Sequence, residues 1–146
     1  MKILNLSWMS LDEIPDNIYN LRDLEEFYLG DNLYGDSTDP FWHNVSLISK
    51  SLGQLNNLQV LKIDCHPIRQ LPHTITNLQK LEILSLYACE LYELPNNIGN
   101  LKNLIFLNLS CNNLTSLPNN ICNLKKLQAL ILSNNGNLYL NEIQKE

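Results

Sequence analysis

The sequence predicts a single α/β solenoid, a curved slab with about six short parallel strands on its concave face and short helical or irregular segments on its convex face. Three observations predict it. Leu58, Leu81, Leu104 and Leu127 stand 23 residues apart, and self-similarity at a fixed period of this length marks stacked repeats. Inside each unit the apolar residues keep the same offsets. The 31 leucines among 146 residues are spread evenly, with no run approaching the ~20 apolar residues that a membrane span needs. The reading is one domain, 1–146, long enough to bury a core of its own.

Each part of the unit has its own signal. In Leu104–Leu109, Phe106 and Asn108 alternate with Leu107 and Leu109, the period of two that turns alternate side chains to opposite faces of a strand. Strands stacked at about 4.8 Å form a parallel sheet in which each turn buries its leucines against its neighbours. Beyond the strand, Asn112 stands where its amide reaches backbone groups of its own turn and of the adjacent one. Asn32 and Asn135 share that offset, Cys89 substitutes for it, and Met9 and His66 depart from it. A Leu-Pro or Ile-Pro step follows at Pro15, Pro72, Pro95 and Pro118, and proline is tolerated at a first helical position. Ile98 and Leu101 then point inward from the short convex segment.

Two places break the period. Leu24 to Leu58 spans 34 residues, 11 too many. Val45, Ile48, Leu52 and Leu55 fit the later offsets, with Ser49 where Pro is expected, so an insertion loop is expected at about 33–44. Its Gly, Asp, Ser and Pro content is that of a loop, while Tyr34, Phe41 and Trp42 give it a sticky surface. Near the end the spacing slips by one residue to Leu138.

With these offsets in view, the chain resembles the leucine-rich-repeat superfamily. Its L-P-x-x-I-x-x-L ending, as in Leu117-Pro118 through Ile121 to Leu124, is similar to the intracellular 23-residue class. The Ras-pathway scaffolds, the plant intracellular Ras-group proteins and many bacterial repeat proteins share that ending. The resemblance covers almost the whole chain and implies a horseshoe segment. It implies little about the partner, since the framework serves receptors, scaffolds and enzyme-recognition modules alike.

Charge narrows the partner class. The net charge is −5, with nine acids against two basic residues in positions 1–40. A nucleic-acid binder needs a basic stripe to displace counterions, and the sequence offers none. It shows neither a secretory signal nor a membrane span. Cys65, Cys89, Cys111 and Cys122 lie inside the units, not in end clusters, which favours free thiols in a reducing, cytoplasmic setting. The sequons at Asn5, Asn44, Asn108 and Asn113 carry little weight in so Asn-rich a chain.

Candidate contacts follow from the outward strand positions. Val60, Ile83 and Phe106 fall in one column with Ala129, flanked by Tyr28, Tyr87 and Ile131. An apolar patch with polar neighbours marks a protein contact. Lys62, Asp64 and Asn108 supply polar contacts, Trp8 lies just beyond the first strand, and Phe41 and Trp42 offer a secondary contact from the loop. Cys65 and His66 with His43 or His73 match no zinc spacing, and no cofactor is expected. No phosphate loop or nucleophile–base pair is legible, so the chain does not read as an enzyme.

The expected function is protein or peptide recognition through the concave sheet. The alternative is the substrate-recognition segment of a larger enzyme or effector whose catalytic part lies elsewhere. Met1 already occupies the first Leu offset, which suggests a covered end, by an end-to-end homodimer or by residues not in this sequence.

Overall fold

Six short strands follow one another along the chain, and each pairs only with its sequence neighbours. The structure, a computed structural model, describes residues 1–7, 9, 11–30 and 45–139. The strands are β1 (Ile3–Asn5), β2 (Glu26–Gly30), β3 (Val60–Asp64), β4 (Ile83–Ser85), β5 (Phe106–Asn108) and β6 (Ala129–Ile131). They form one open sheet in the order β1-β2-β3-β4-β5-β6. Every pairing is parallel, and Leu4, Phe27, Leu61, Leu84, Leu107 and Leu130 stand side by side across it. This is the expected frame, and the 34-residue step from β2 to β3 leaves it undisturbed. The loop expected at about 33–44, with Phe41 and Trp42, lies outside the described residues.

The register makes the core. Phe27, Leu61, Leu84 and Leu107 are fully buried, as are Leu29, Ile63, Leu86 and Leu109 two residues further along. At about 1.5–3 kcal/mol per buried leucine-sized side chain, these columns are the main stabilising contribution. Leu4 and Leu6 at one end, and Leu127, Leu130 and Leu132 at the other, are only partly buried. A terminal turn has a neighbour on one side only, so half of its packing surface meets none of this sheet.

Beyond each strand the chain turns sharply. Cys65, Ala88, Cys111 and Asn134 occupy one offset, and all have positive φ, between 52° and 62°. The left-handed conformation there frees the next residue to point inward. Asn112 uses that position fully. Its Nδ2 donates to Leu86 O at 2.7 Å in the preceding unit and to Leu109 O at 2.9 Å in its own. Its Oδ1 accepts from the N–H groups of Cys89 at 3.0 Å and Leu91 at 2.9 Å. Asn135 repeats the pattern onto Leu109 O and Leu114 N. Cys89 stands in through its thiol, donating to Ile63 O at 2.8 Å, and burial pushes that thiol well above the usual range. His66 is buried at the same offset, whereas Met9 is exposed.

Among the described residues the return path holds five 3-10 turns, at Asp16–Asn20, Lys50–Gln54, His73–Asn77, Ile98–Asn100 and Asn119–Asn123. Proline does not take the first helical position expected from the sequence. Pro15, Pro72 and Pro118 stand one residue earlier, at the N-cap, with ψ of 131°, 135° and 139°. Their carbonyls accept from the N–H three residues on, at Ile18, Ile75 and Ile121, so the missing proline N–H costs nothing. Ser49 achieves the same entry by accepting from Ser51 N through its hydroxyl. After Asn135, Leu138 packs against the core despite the one-residue slip, and Tyr139 N donates to Thr115 O.

The turns stack as closely as one alternating position allows. The next-to-last residue of each turn reads Tyr19, Gly53, Thr76, Gly99 and Cys122. Tyr19 is buried, and desolvation, opposed by the backbone of Ser49, pushes its phenol up to about 12. A Cβ on Gly53 would lie 2.5 Å from the Thr74 carbonyl oxygen of the following turn. Gly53→Ala should therefore lower stability by about 1–3 kcal/mol through overpacking. Urea unfolding measures it, and an unchanged midpoint would show that the turns can separate freely.

Candidate functional site

The solvent side of the sheet carries every strand residue that does not enter the core. Pairing places Ile3, Glu26, Val60, Ile83, Phe106 and Ala129 in one row, and Asn5, Tyr28, Lys62, Ser85, Asn108 and Ile131 in the next. The rows are built by the backbone register, so side chains about 4.8 Å apart on adjacent strands share one surface.

Three regions differ in chemistry. In the first row Val60, Ile83, Phe106 and Ala129 are half-buried, each covering the edge of its neighbour and leaving the rest to solvent. Ile131, 36% exposed, extends this apolar area into the second row, and Ile3, 55% exposed, heads the first. At the β2–β3 side, the Tyr28 hydroxyl donates to Glu26 Oε2 at 2.7 Å. That bond, then burial, raises the Tyr28 phenol above its ordinary value. The Lys62 ammonium lies 5.8 Å from the Tyr28 ring centroid, within cation–π range.

The third region is a polar seam. Asp64 Oδ1 accepts from Ser85 Oγ at 2.7 Å and from Tyr87 N at 2.8 Å. Asn108 donates to Ser85 Oγ at 3.5 Å, and its Oδ1 accepts from Ser110 Oγ at 2.6 Å. Ser85 and Ser110 are buried by these contacts. Asp64 thus spends one carboxylate oxygen on the neighbouring unit, while Asn108 reaches Ser85 through its amide nitrogen and spends its oxygen on Ser110. In the cluster of Asp64, Lys62 and Ser85, the Ser85 hydroxyl donates to a carboxylate oxygen that also accepts a backbone N–H.

Tyr87 sits at the end of this seam. A hydrogen bond with the Cys111 side chain, followed by the Cys111 charge, raises its phenol, and Asn134 Nδ2 reaches Cys111 Sγ at 3.3 Å. Sequence reading placed Tyr87 on the face and missed Cys111 beside it. The signal was there, since Cys111 and Asn134 share the offset next after that of Tyr87.

Of the residues singled out from the sequence, Tyr28, Val60, Lys62, Asp64, Ile83, Tyr87, Phe106, Asn108 and Ile131 therefore lie on one face. Trp8, Phe41 and Trp42 lie outside the described residues. Among the described residues no group of three or more His, Cys, Asp or Glu could hold a metal ion, and no helix is long and apolar enough to cross a membrane. All four cysteines are free.

A family model for the Leucine Rich Repeat matches residues 103–124. No curated protein matches the chain in sequence. Among solved structures it is similar to a leucine-rich-repeat protein of Leptospira interrogans, at 37% identity and a TM-score of 0.76 over 89% of this chain and 30% of that one. It is similar to the structure of PEPR1-AtPEP1 at 29% identity and a TM-score of 0.76, over 91% of this chain and 18% of that one. The leucine-rich repeat domain of the type III effector XopL is 27% identical, with a TM-score of 0.69 over 89% of this chain and 43% of that one. The chain thus spans less than half the length of each.

Proposed function

Because this chain is a leucine-rich-repeat solenoid, we propose that it is a protein-interaction module that holds a protein or peptide partner on the solvent side of its sheet. The observation that carries the proposal is the in-register apolar row Val60, Ile83, Phe106 and Ala129, bordered by Tyr28, Tyr87 and Ile131. Rows of this kind with polar neighbours suit a contact whose centre is dry and whose rim is wet. Phe106 and Tyr87 are the anchors, because aromatic side chains lose little rotamer freedom when they bind. The likeness to PEPR1-AtPEP1, a paired structure, supports the reading. Phe41 and Trp42 would add a secondary contact, and Trp8 would extend the face past β1. The proposal assigns no catalysis to this chain and no nucleic-acid or membrane partner.

A second reading has its own support. The likeness to one domain of a type III effector fits a substrate-recognition segment of a larger enzyme or effector. Both readings use the same face.

Affinity capture with the wild-type chain and with Phe106→Ala, followed by titration of the captured protein, tests the site. Phe106→Ala should weaken binding by about 1 kcal/mol or more and leave the melting temperature nearly unchanged. Equal loss of both would assign the ring to the core.

The four free thiols fit a reducing, cytoplasmic compartment. Cys65 and Cys111 share an offset two units apart, so about 10 Å separates them, beyond disulfide reach. Thiol titration of the unfolded, unreduced protein should count four groups, and two or fewer would overturn the compartment. The exposed Met1 and Met9, at inward offsets flanking β1, are where a second copy would stack end to end. Sedimentation should then show a dimer at high concentration, and a monomer throughout would remove that contact.

A further inference from the structure

Away from the strand face, the stacked Leu-Pro steps border a half-open groove of about 990 Å³ that crosses the first four units. Its floor is the buried series Ile14, Ile48, Leu71 and Leu94, and Pro15, Pro72 and Pro95 line it. The chain enters the first three 3-10 turns extended at its N-cap, at Pro15, Ser49 and Pro72, and the Leu94-Pro95 step continues the groove in the fourth unit.

Two features of this groove have no role in the fold. The first is Leu47. The position before each Leu-Pro step faces outward and is polar in the other units, at Glu13, Gln70, Glu93 and Ser116. At Leu47 it is apolar and 78% exposed on the groove wall. Folding gains almost nothing from an apolar side chain left in water, whereas a contact would gain from covering it. The second is charge. Asp12, Glu13, Asp16 and Glu93 line the groove against the single ammonium of Lys50, with His73 beside it. Among the described residues, no side-chain hydrogen bond or ion pair engages Asp12, Glu13 or Asp16. The neighbouring basic residues are already committed: Lys2 pairs with Glu25, and Arg22 donates to Gln54.

We propose that this groove is a second docking site, for an extended segment of a partner protein. That segment carries lysine or arginine where it meets Asp12, Glu13 and Asp16, and an apolar side chain against Leu47 and Pro72. Four units at about 4.8 Å spacing match roughly four to five residues of extended peptide. Charge complementarity selects the basic segment, and the apolar floor fixes its alignment. Single exposed ion pairs contribute little, so three carboxylates at one end act as a group, and their attraction weakens with salt. The site is independent of the sheet face, so one module could hold two parts of one partner.

The probe is a fluorescein-labelled peptide, KKLPL, titrated by anisotropy onto the full chain, with EELPL and KKSGS as controls. KKLPL should bind about fivefold or more tighter than either control, and raising salt from about 50 to about 500 mM should weaken it. D12N/D16N and Leu47→Ser should each weaken it about threefold or more without moving the melting temperature, since these side chains are exposed. Phe106→Ala should leave it unchanged, which separates this site from the sheet face. Equal binding of the three peptides, or no saturation, would overturn the proposal. So would loss on Phe106→Ala with the groove variants silent. A change in oligomeric state on Leu47→Ser, with peptide binding unaltered, would identify a second copy as the occupant and overturn it equally.

Discussion

Everything in this molecule depends on parallel pairing in one unbroken register. The apolar residue at the centre of each strand meets its counterpart on the next, from Leu4 to Leu130. A shift of one residue anywhere would exchange inward for outward side chains on that strand. It would bury Lys62 or Asn108 and expose Leu61 or Leu107. The leucines therefore stabilise the fold and also determine which residues are left to face a partner.

A parallel stack leaves each turn with backbone groups that its own strand cannot satisfy. Asn112 and Asn135 solve this by spanning two units with one amide. Cys89 supplies only the donor half of that arrangement, and its thiol reaches the carbonyl of Ile63. Ser49 shows the same tolerance at the entry to a turn, where a hydroxyl replaces the fixed φ of proline. Such departures survive because the requirement is a satisfied hydrogen bond, and more than one side chain can supply it. The spacing of the turns is less forgiving. Beside Gly53 a Cβ would meet backbone, which cannot move without shifting the next unit.

Once inward positions are committed, two surfaces remain for recognition. The sheet face combines an apolar row with a polar seam, and the seam is largely consumed by cross-strand bonds. This is why Asp64 and Asn108 hold the seam together first, leaving a partner the second carboxylate oxygen of Asp64 and one amide N–H of Asn108. The Leu-Pro groove has the opposite balance: among the described residues nothing engages its carboxylates at Asp12, Glu13 and Asp16, and its floor is apolar. A module with both surfaces can discriminate partners by shape on one side and by charge on the other.

Period and alternation in the sequence determined the strands, their register, the core columns and the membership of the outward rows. Those properties follow from local chain geometry repeated 23 residues apart, so they were legible at Leu58, Leu81, Leu104 and Leu127. The sequence also identified Asn112 as a bridging amide and Cys89 as its substitute. Only the tertiary structure decided how the outward residues share their bonds: that Asp64 accepts from Ser85 and Tyr87, that Cys111 lies against Tyr87, and that Tyr28 sits beneath Lys62. It also decided that Pro15, Pro72 and Pro118 cap their turns instead of entering them, that Gly53 is required by its neighbour's carbonyl, and that the Leu-Pro steps border a groove. Each of these depends on distances between residues some 20 apart in the chain, set by how closely successive turns pack. A repeat tells which residues become neighbours, but only packing tells which of their atoms touch.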